Sequence, residues 1–353
     1  MKDISSCDII KLGESFANAK RPVIVTHMKP DGDAMGSCIA LYHYLTSTGK
    51  ECRIVINDAY PTYLEFLTTE ESLSDIIIYT DNSAEAEDAI ASSDLIICLD
   101  FNAFHRTENL EKPLSEATSD KILIDHHLNP DRECFSLIFS ETEVSSASEL
   151  LFHILMELPD INKNASNLPP KAAEALMTGM TTDTNNFANS VYPTTLLMAS
   201  ALLAAGVDRD NILLHLYNQH SESRLRLMGH IMKDLLTITE DGVAYMVLDS
   251  KTQKEYQVKE GDTEGFVNMP LSIANVRMSL MLKEDGNRVR VSIRSKKGTS
   301  ANQCARLFFN GGGHENAAGG RLYMPEDINS IEAAAEYIEK HTHIYFTEYE
   351  KNC

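Results

Sequence analysis

The chain lacks the features that mark membrane, secreted or polymer-binding proteins. No apolar run approaches the roughly 18–20 residues of a bilayer-spanning helix; the richest, Leu196 to Gly206, has the length of a core helix. The N-terminus, Met1 to Cys7, has neither the basic nor the apolar region of a signal peptide, so a cytoplasmic location is expected. Seven cysteines stand at positions 7, 38, 52, 98, 134, 304 and 353 with no Cys-x-x-Cys pair. That spacing excludes a disulfide framework or a zinc-finger pattern. Cys38 and Cys98 lie in apolar surroundings and read as small core residues. Positive charge is scarce: 31 Lys and Arg face 52 Asp and Glu, a net charge of −21. Binding long nucleic acid needs many cationic contacts to phosphates, so neither a long duplex nor a membrane is expected as partner. A short anionic ligand is allowed where bound divalent cations supply the missing charge.

What is present is the pattern of a two-domain α/β protein. At 353 residues, 43% hydrophobic and 24% charged, the chain can bury a sizeable core. Short β-rich runs at Arg21–His27, Arg53–Asn57, Asp94–Asp100 and Lys121–Asp125 alternate with helical patterns, the first at Met35–Thr48. This alternation predicts an N-terminal, mostly parallel sheet with helices on both faces. Helical periodicity continues at Ser146–Leu158, Pro169–Met180 and Thr194–Ala205, where Gly206 is a stop signal. Ser221–Leu236 reads as an amphipathic helix. After it, strands at Gly242–Asp249, Val276–Leu282 and Arg288–Ser295, a hairpin signal at Glu284–Asn287, and helices at Thr299–Phe309 and Ile331–Lys340 suggest a smaller C-terminal α+β domain. The expected boundaries are a first domain at 1–215, a connecting helix at 216–236 and a second domain at 237–353.

Several strands end in acids and imidazoles. The first runs into His27-Met-Lys-Pro-Asp31-Gly-Asp33, on a Pro/Gly-punctuated turn that lets close neighbours converge. Another ends at Asp100, and a third at Asp125-His126-His127; Asp183 lies in a polar segment after a helix. In open α/β sheets ligands bind at the carboxyl ends of strands. Taken singly, each motif has a structural alternative: an Asp-Gly turn, a salt-bridged acid, a polar loop. Taken together, so many acids would repel unless cations sat among them. The number of N/O ligands exceeds the need of one ion and fits two divalent ions about 3.5–4 Å apart.

In this order, His27-x-x-x-Asp31-x-Asp33, Asp100, Asp125-His126-His127 and Asp183 resemble the motifs of the DHH phosphoesterase superfamily, and Gly311-Gly-Gly-His314 resembles the GGGH motif of its associated C-terminal domain. The nano-RNase/pAp phosphatases are the members most similar in pattern. The resemblance implies one ion held by His27, Asp31 and Asp100, and a second by Asp33, Asp100, His126 and Asp183. It implies that Asp125 orients an imidazole, that His127 contacts the substrate phosphate, and that the active site lies in a cleft between the domains. Arg106, Arg294, Ser295, Gly312, Gly313 and His314 would bind substrate. Manganese is the expected metal, with magnesium or cobalt as substitutes. The implied reaction is hydrolysis, by a metal-bridging water, of nano-RNA or linear dinucleotides to mononucleotides, or of pAp to AMP and phosphate. Pyrophosphate or polyphosphate hydrolysis is the nearest alternative, and a non-catalytic nucleotide-binding regulator a more distant one; a homodimer is compatible with either. Two positions depart from the family pattern: Asn185 stands where many relatives have Gly, and Ser145–Glu149 matches its segment incompletely.

Overall fold

Strands apolar on both faces must be covered on both faces, and the central strands of the first sheet are of that kind. The computed structural model describes residues 4–219, 221–259 and 261–349. The chain divides into two units, Met1–Gln219 and His220–Cys353.

The first unit runs α1 (Ser6–Asn18), β1 (Pro22–Val25), α2 (Gly32–Ser47), β2 (Arg53–Ile56), α3 (Glu70–Ser74), β3 (Ile76–Ile78) and α4 (Ser83–Ser92). It continues through β4 (Leu95–Leu99), α5 (Glu111–Glu116), β5 (Asp120–Asp125), β6 (Leu137–Ser140), α6 (Ala147–Met156), α7 (Pro170–Asp183), α8 (Pro193–Ala204) and α9 (Arg209–Tyr217). The strands form one parallel sheet in the order β3-β2-β1-β4-β5-β6. Side chains alternate between faces. Ile24, Ile97, Leu99 and Ile124 pack with Met35, Leu151 and Leu176 of α2, α6 and α7. Their neighbours Val23, Val25, Ile96 and Cys98 pack with Ile90 of α4 and Leu114 of α5. The chain leaves β1 towards one sheet edge and returns at β4 to build the other. That reversal opens a crevice beyond the carboxyl ends of β1 and β4.

The second unit begins with α10 (Glu222–His230), continued by a wider turn at Ile231–Leu235. It contains β7 (Thr237–Ile238), β8 (Val243–Leu248), α11 (Ser250–Glu255), β9 (Met278–Asp285), β10 (Arg288–Ser295), α12 (Ala301–Phe308), β11 (Gly312–Gly313), β12 (Ala317–Tyr323) and α13 (Ala334–Ile344). The sheet order is β11-β12-β10-β9-β8-β7, with β8 and β9 parallel and the other pairs antiparallel. Gly286, at φ 66°, makes the two-residue β9–β10 turn that the Glu284–Asn287 signal predicts.

Two helices that carry chemistry extend beyond their sequence-predicted ends. Helix α2 begins at Gly32, not Met35, because the Asp31 carboxylate caps it, accepting from the amides of Asp33 (3.0 Å) and Ala34 (3.2 Å). Asp33 is therefore in a helical turn, not on the loop. Helix α7 runs to Asp183, not Met180, so this acid is the last helical residue. The segment 317–323, whose glycines carry no strand signal, forms β12 by pairing with β10 along its whole length.

Candidate metal centre

The site is built from strand ends and helix ends. Thr26 Oγ1 donates to Leu99 O at 2.9 Å, fastening the end of β1 to the end of β4. His27 follows β1 and Asp100 follows β4; His27 Nε2 lies 3.5 Å from Asp100 Oδ2. His27 Nδ1 is 2.8 Å from Met28 O. Donation from Nδ1 to that carbonyl leaves Nε2 as the ring atom that could ligate a metal. On the other side of Asp100, His126 Nε2 stands 3.4 Å from Oδ1 and 3.5 Å from Asp183 Oδ2. His127 Nδ1 pairs with Asp125 Oδ1 at 2.7 Å, and Asp125 is fully buried at the end of β5.

Close packing of α2 on α7 brings Asp33 towards Asp183. A Cβ on Gly36 would stand 2.7 Å from Ala175 O and 2.8 Å from Gly179 Cα; one on Gly179 would stand 2.9 Å from Asp33 Oδ1. The two backbones touch because neither position has a side chain. The Asp33 carboxylate then meets the N-terminus of α6: Ala147 N donates to Oδ2 at 2.6 Å and Ser148 N to Oδ1 at 2.9 Å. Free amides at a helix start are a natural anion site.

Three groups of these side chains offer ligand atoms mutually within 4.8 Å: His27, Asp31 and Asp100; Asp33, His126 and Asp183; and Asp100, His126 and His127. Burial opposes protonation of His27 and His126, yet contact with Asp100, with the charge of Asp31 or Asp183 beside it, raises them to about 9 and about 10. Burial alone would raise the Asp100 carboxyl, but the two imidazoles hold it well below the usual carboxylate range. Burial and the neighbouring acids push Asp33 up to about 7 and Asp183 well up. Acids that cannot all ionise and imidazoles that hold their protons describe a site short of positive charge. Among the described residues, Asp100 Oδ1 and Asp125 Oδ2 are buried without a hydrogen-bond partner. Carboxylate and imidazole donors of this kind suit divalent cations, so the residues present fit a metal centre.

Comparison with known proteins agrees with the motif order. Residues 21–180 match the DHH family, N-terminal domain, and residues 240–340 match the DHHA1 domain. The bifunctional oligoribonuclease and PAP phosphatase NrnA of Thermus thermophilus is 30% identical over 85% of this chain and 83% of its own. The chain belongs to the DHH family. The Bacillus subtilis protein of the same name is 26% identical over 90% of this chain and 94% of its own. Among solved structures, an exopolyphosphatase-related protein from Bacteroides fragilis has a TM-score of 0.90 at 36% identity, covering 98% of both chains. Exonuclease RecJ bound to manganese shares the fold, with a TM-score of 0.52 at 18% identity over 95% of this chain and 93% of that one.

The remaining residues that the DHH pattern singles out lie in both units. Arg106 is half-buried in the turn after β4; its carbonyl accepts from Met28 N at 2.8 Å, joining it to the His27 loop. Arg294 is the last but one residue of β10, where its Nη1 donates to Ile293 O at 3.0 Å and Ala318 O at 3.4 Å. Among the described residues no carboxylate pairs with either guanidinium. Ser295 is buried with its hydroxyl committed, donating to Thr299 O at 2.6 Å and accepting from Asn316 Nδ2 at 3.0 Å. Gly312 and Gly313 are strand residues paired with Gly319 and Ala318, and Gly313 N donates to Asn302 Oδ1 at 3.1 Å. A Cβ on Gly311 would fall 1.9 Å from Gly319 O. Part of the glycine requirement is thus the hairpin's own. His314 is exposed at the turn between β11 and β12.

Sequence reasoning named Ser145–Glu149 only as an incomplete match to a family segment, and missed that the amides of Ala147 and Ser148 hold Asp33. The available signal was the Ser146-x-x-Glu149 spacing, a helix-start pattern.

Proposed function

We propose that this DHH-family chain is a metal-dependent hydrolase that cleaves short nucleotide substrates: nano-RNA or linear dinucleotides to mononucleotides, and pAp to AMP and phosphate. The observation that carries the reading is Asp100, a buried acid at ion-pair distance from both His27 and His126, whose Oδ1 has no hydrogen-bond partner among the described residues. His27, Asp31 and Asp100 would hold one divalent cation, and Asp33, Asp100, His126 and Asp183 a second, with manganese as the leading candidate. Bound ions would supply Lewis-acid charge for the phosphoryl oxygens and make water a competent nucleophile at neutral pH. The chain's own groups do the rest. Asp125 holds the His127 Nδ1 proton, so Nε2 is the atom His127 offers to a phosphoryl or leaving oxygen. Arg106 and Arg294 would grip phosphates; a guanidinium without a carboxylate partner suits bidentate bonding to an oxyanion.

The substrate assignment draws on the oligoribonuclease and PAP phosphatase names of relatives that align with most of this chain. The net charge of −21 favours short substrates over long nucleic acid. Polyphosphate hydrolysis is the second reading, favoured by the exopolyphosphatase-related neighbour. Metal-free protein supplied with Mn²⁺ should be offered pAp, a linear dinucleotide, RNAs of graded length, pyrophosphate and polyphosphate. Turnover of the first two and of the shortest RNAs is expected. Turnover confined to pyrophosphate or polyphosphate would refute the nucleotide reading.

A further inference from the structure

We infer that Glu149 is a positioning residue for the second cation, acting through the start of α6 on the Asp33 carboxylate; the inference rests on the two-ion reading above. Glu149 is fully buried, a costly place for a carboxylate unless it is hydrogen-bonded. Its Oε2 accepts three hydrogen bonds, from Ser145 N (2.9 Å), Ser145 Oγ (2.5 Å) and Thr195 Oγ1 (2.6 Å). Its Oε1 has no hydrogen-bond partner among the described residues, with His153 Nε2 at ion-pair distance, 3.5 Å. Its own amide donates to Ser146 Oγ, the N-cap of α6, at 2.9 Å. In the usual capping box the third-position acid reaches back to the cap residue's own amide. Here it reaches one residue further, to Ser145, and also to the first turn of α8.

That detour has a consequence. The backbone from Ser145 to Glu149 is fixed at both ends by one side chain, and the amides between them, Ala147 N and Ser148 N, are those that hold Asp33. Among the described residues Glu149 bonds Ser145, Ser146 and Thr195 and pairs with His153, none of them assigned to the metals. It sets where Asp33 can stand, as outer partners orient metal ligands elsewhere. A merely structural acid would hold α6 and α8 together without favouring one ion over the other.

The test uses the full chain, stripped of metal and titrated with Mn²⁺ by calorimetry, beside thermal unfolding of each variant. Glu149→Ala should weaken the second ion by about 10- to 100-fold and leave the first near its wild-type affinity. Glu149→Gln, whose carbonyl can accept the same three bonds, should restore most of the loss. Tyr44→Phe, which removes a hydrogen bond to Asp160 (3.1 Å), should lower stability without changing either affinity. If Glu149→Ala does not fold, Ser145→Ala and Thr195→Val each remove one donor and should give smaller losses at the same ion. Folded variants with both affinities unchanged, or with both weakened alike, overturn the inference. A wild-type protein that binds fewer than two ions overturns the two-ion reading instead.

Discussion

The proposed metal centre should exchange protons for cations, and pH is the perturbation that exposes this. Without metal, His27 and His126 hold protons up to about 9 and about 10, because Asp100 and the other acids around them stabilise the imidazolium. A cation bound as proposed would take the same Nε2 atoms and would displace those protons. At pH 7 the displacement costs about 3 kcal/mol at His27 and about 4 kcal/mol at His126, at roughly 1.4 kcal/mol per pH unit. Protonation competes with binding, so affinity rises with pH. It should rise by about tenfold per unit and per imidazole displaced, levelling off above pH 9 for one ion and pH 10 for the other. Calorimetry of metal-free protein in buffers of different protonation enthalpy counts the protons. At least two should leave as two ions bind at pH 7, one from each imidazole, with Asp33 and Asp183 adding to the number. Near-zero proton release, with affinity flat between pH 7 and 9, would refute the placement of His27 and His126 as ligands.

Three further perturbations separate the roles. Asp100→Asn keeps the shape but removes the charge between the imidazoles; turnover should be lost and metal affinity should fall by more than about 100-fold, since even outer partners cost 10- to 100-fold. Retained turnover in that variant would sink the site model. Asp125→Asn should leave metal stoichiometry at the wild-type value while lowering kcat, because an amide cannot hold the His127 Nδ1 proton as a carboxylate does; an unchanged kcat contradicts this. Arg294→Ala should lower kcat/KM for phosphate-bearing substrates by roughly 10- to 150-fold, the equivalent of a charge-assisted bond of about 1.5–3 kcal/mol, with metal affinity unmoved. Steady-state kinetics with pAp and a dinucleotide read all three.

The acids were legible in the sequence because a buried parallel strand is a short apolar run, and the residue after it is marked by contrast. Val23 to His27, Leu95 to Asp100 and Ile122 to His127 each make that transition. Their convergence could be inferred from charge, since acids in such number need a counter-charge wherever they meet. The supports were not legible, because they join residues remote in sequence. Asp33 is held by amides more than 110 positions away, and the approach of α2 to α7 depends on two glycines, Gly36 and Gly179, that look like ordinary helix weaknesses. Both misplaced helix ends have the same origin. Glycine before Asp33 reads as a turn until Asp31 is seen capping the helix, and Thr181 to Thr184 reads as a loop until the helical bonds that continue through it are drawn.

The loop after Asp183 holds an uncommon backbone conformation with contacts of its own. Asn185, Asn186 and Phe187 follow at φ 46°, 56° and 66°, three successive left-handed residues without a glycine. Glycine is the default for that conformation, and asparagine is the residue that tolerates it next best. Asn185, the residue at which the DHH pattern leads one to expect Gly, takes the backbone region that glycine favours. Thr184 Oγ1 accepts from Phe187 N at 3.0 Å, and the Arg209 guanidinium bonds Asn186 Oδ1 and lies 5.6 Å from the Phe187 ring. These contacts offset the strain that a run of left-handed residues carries, and they end α7 at the acid where the proposed second ion needs it.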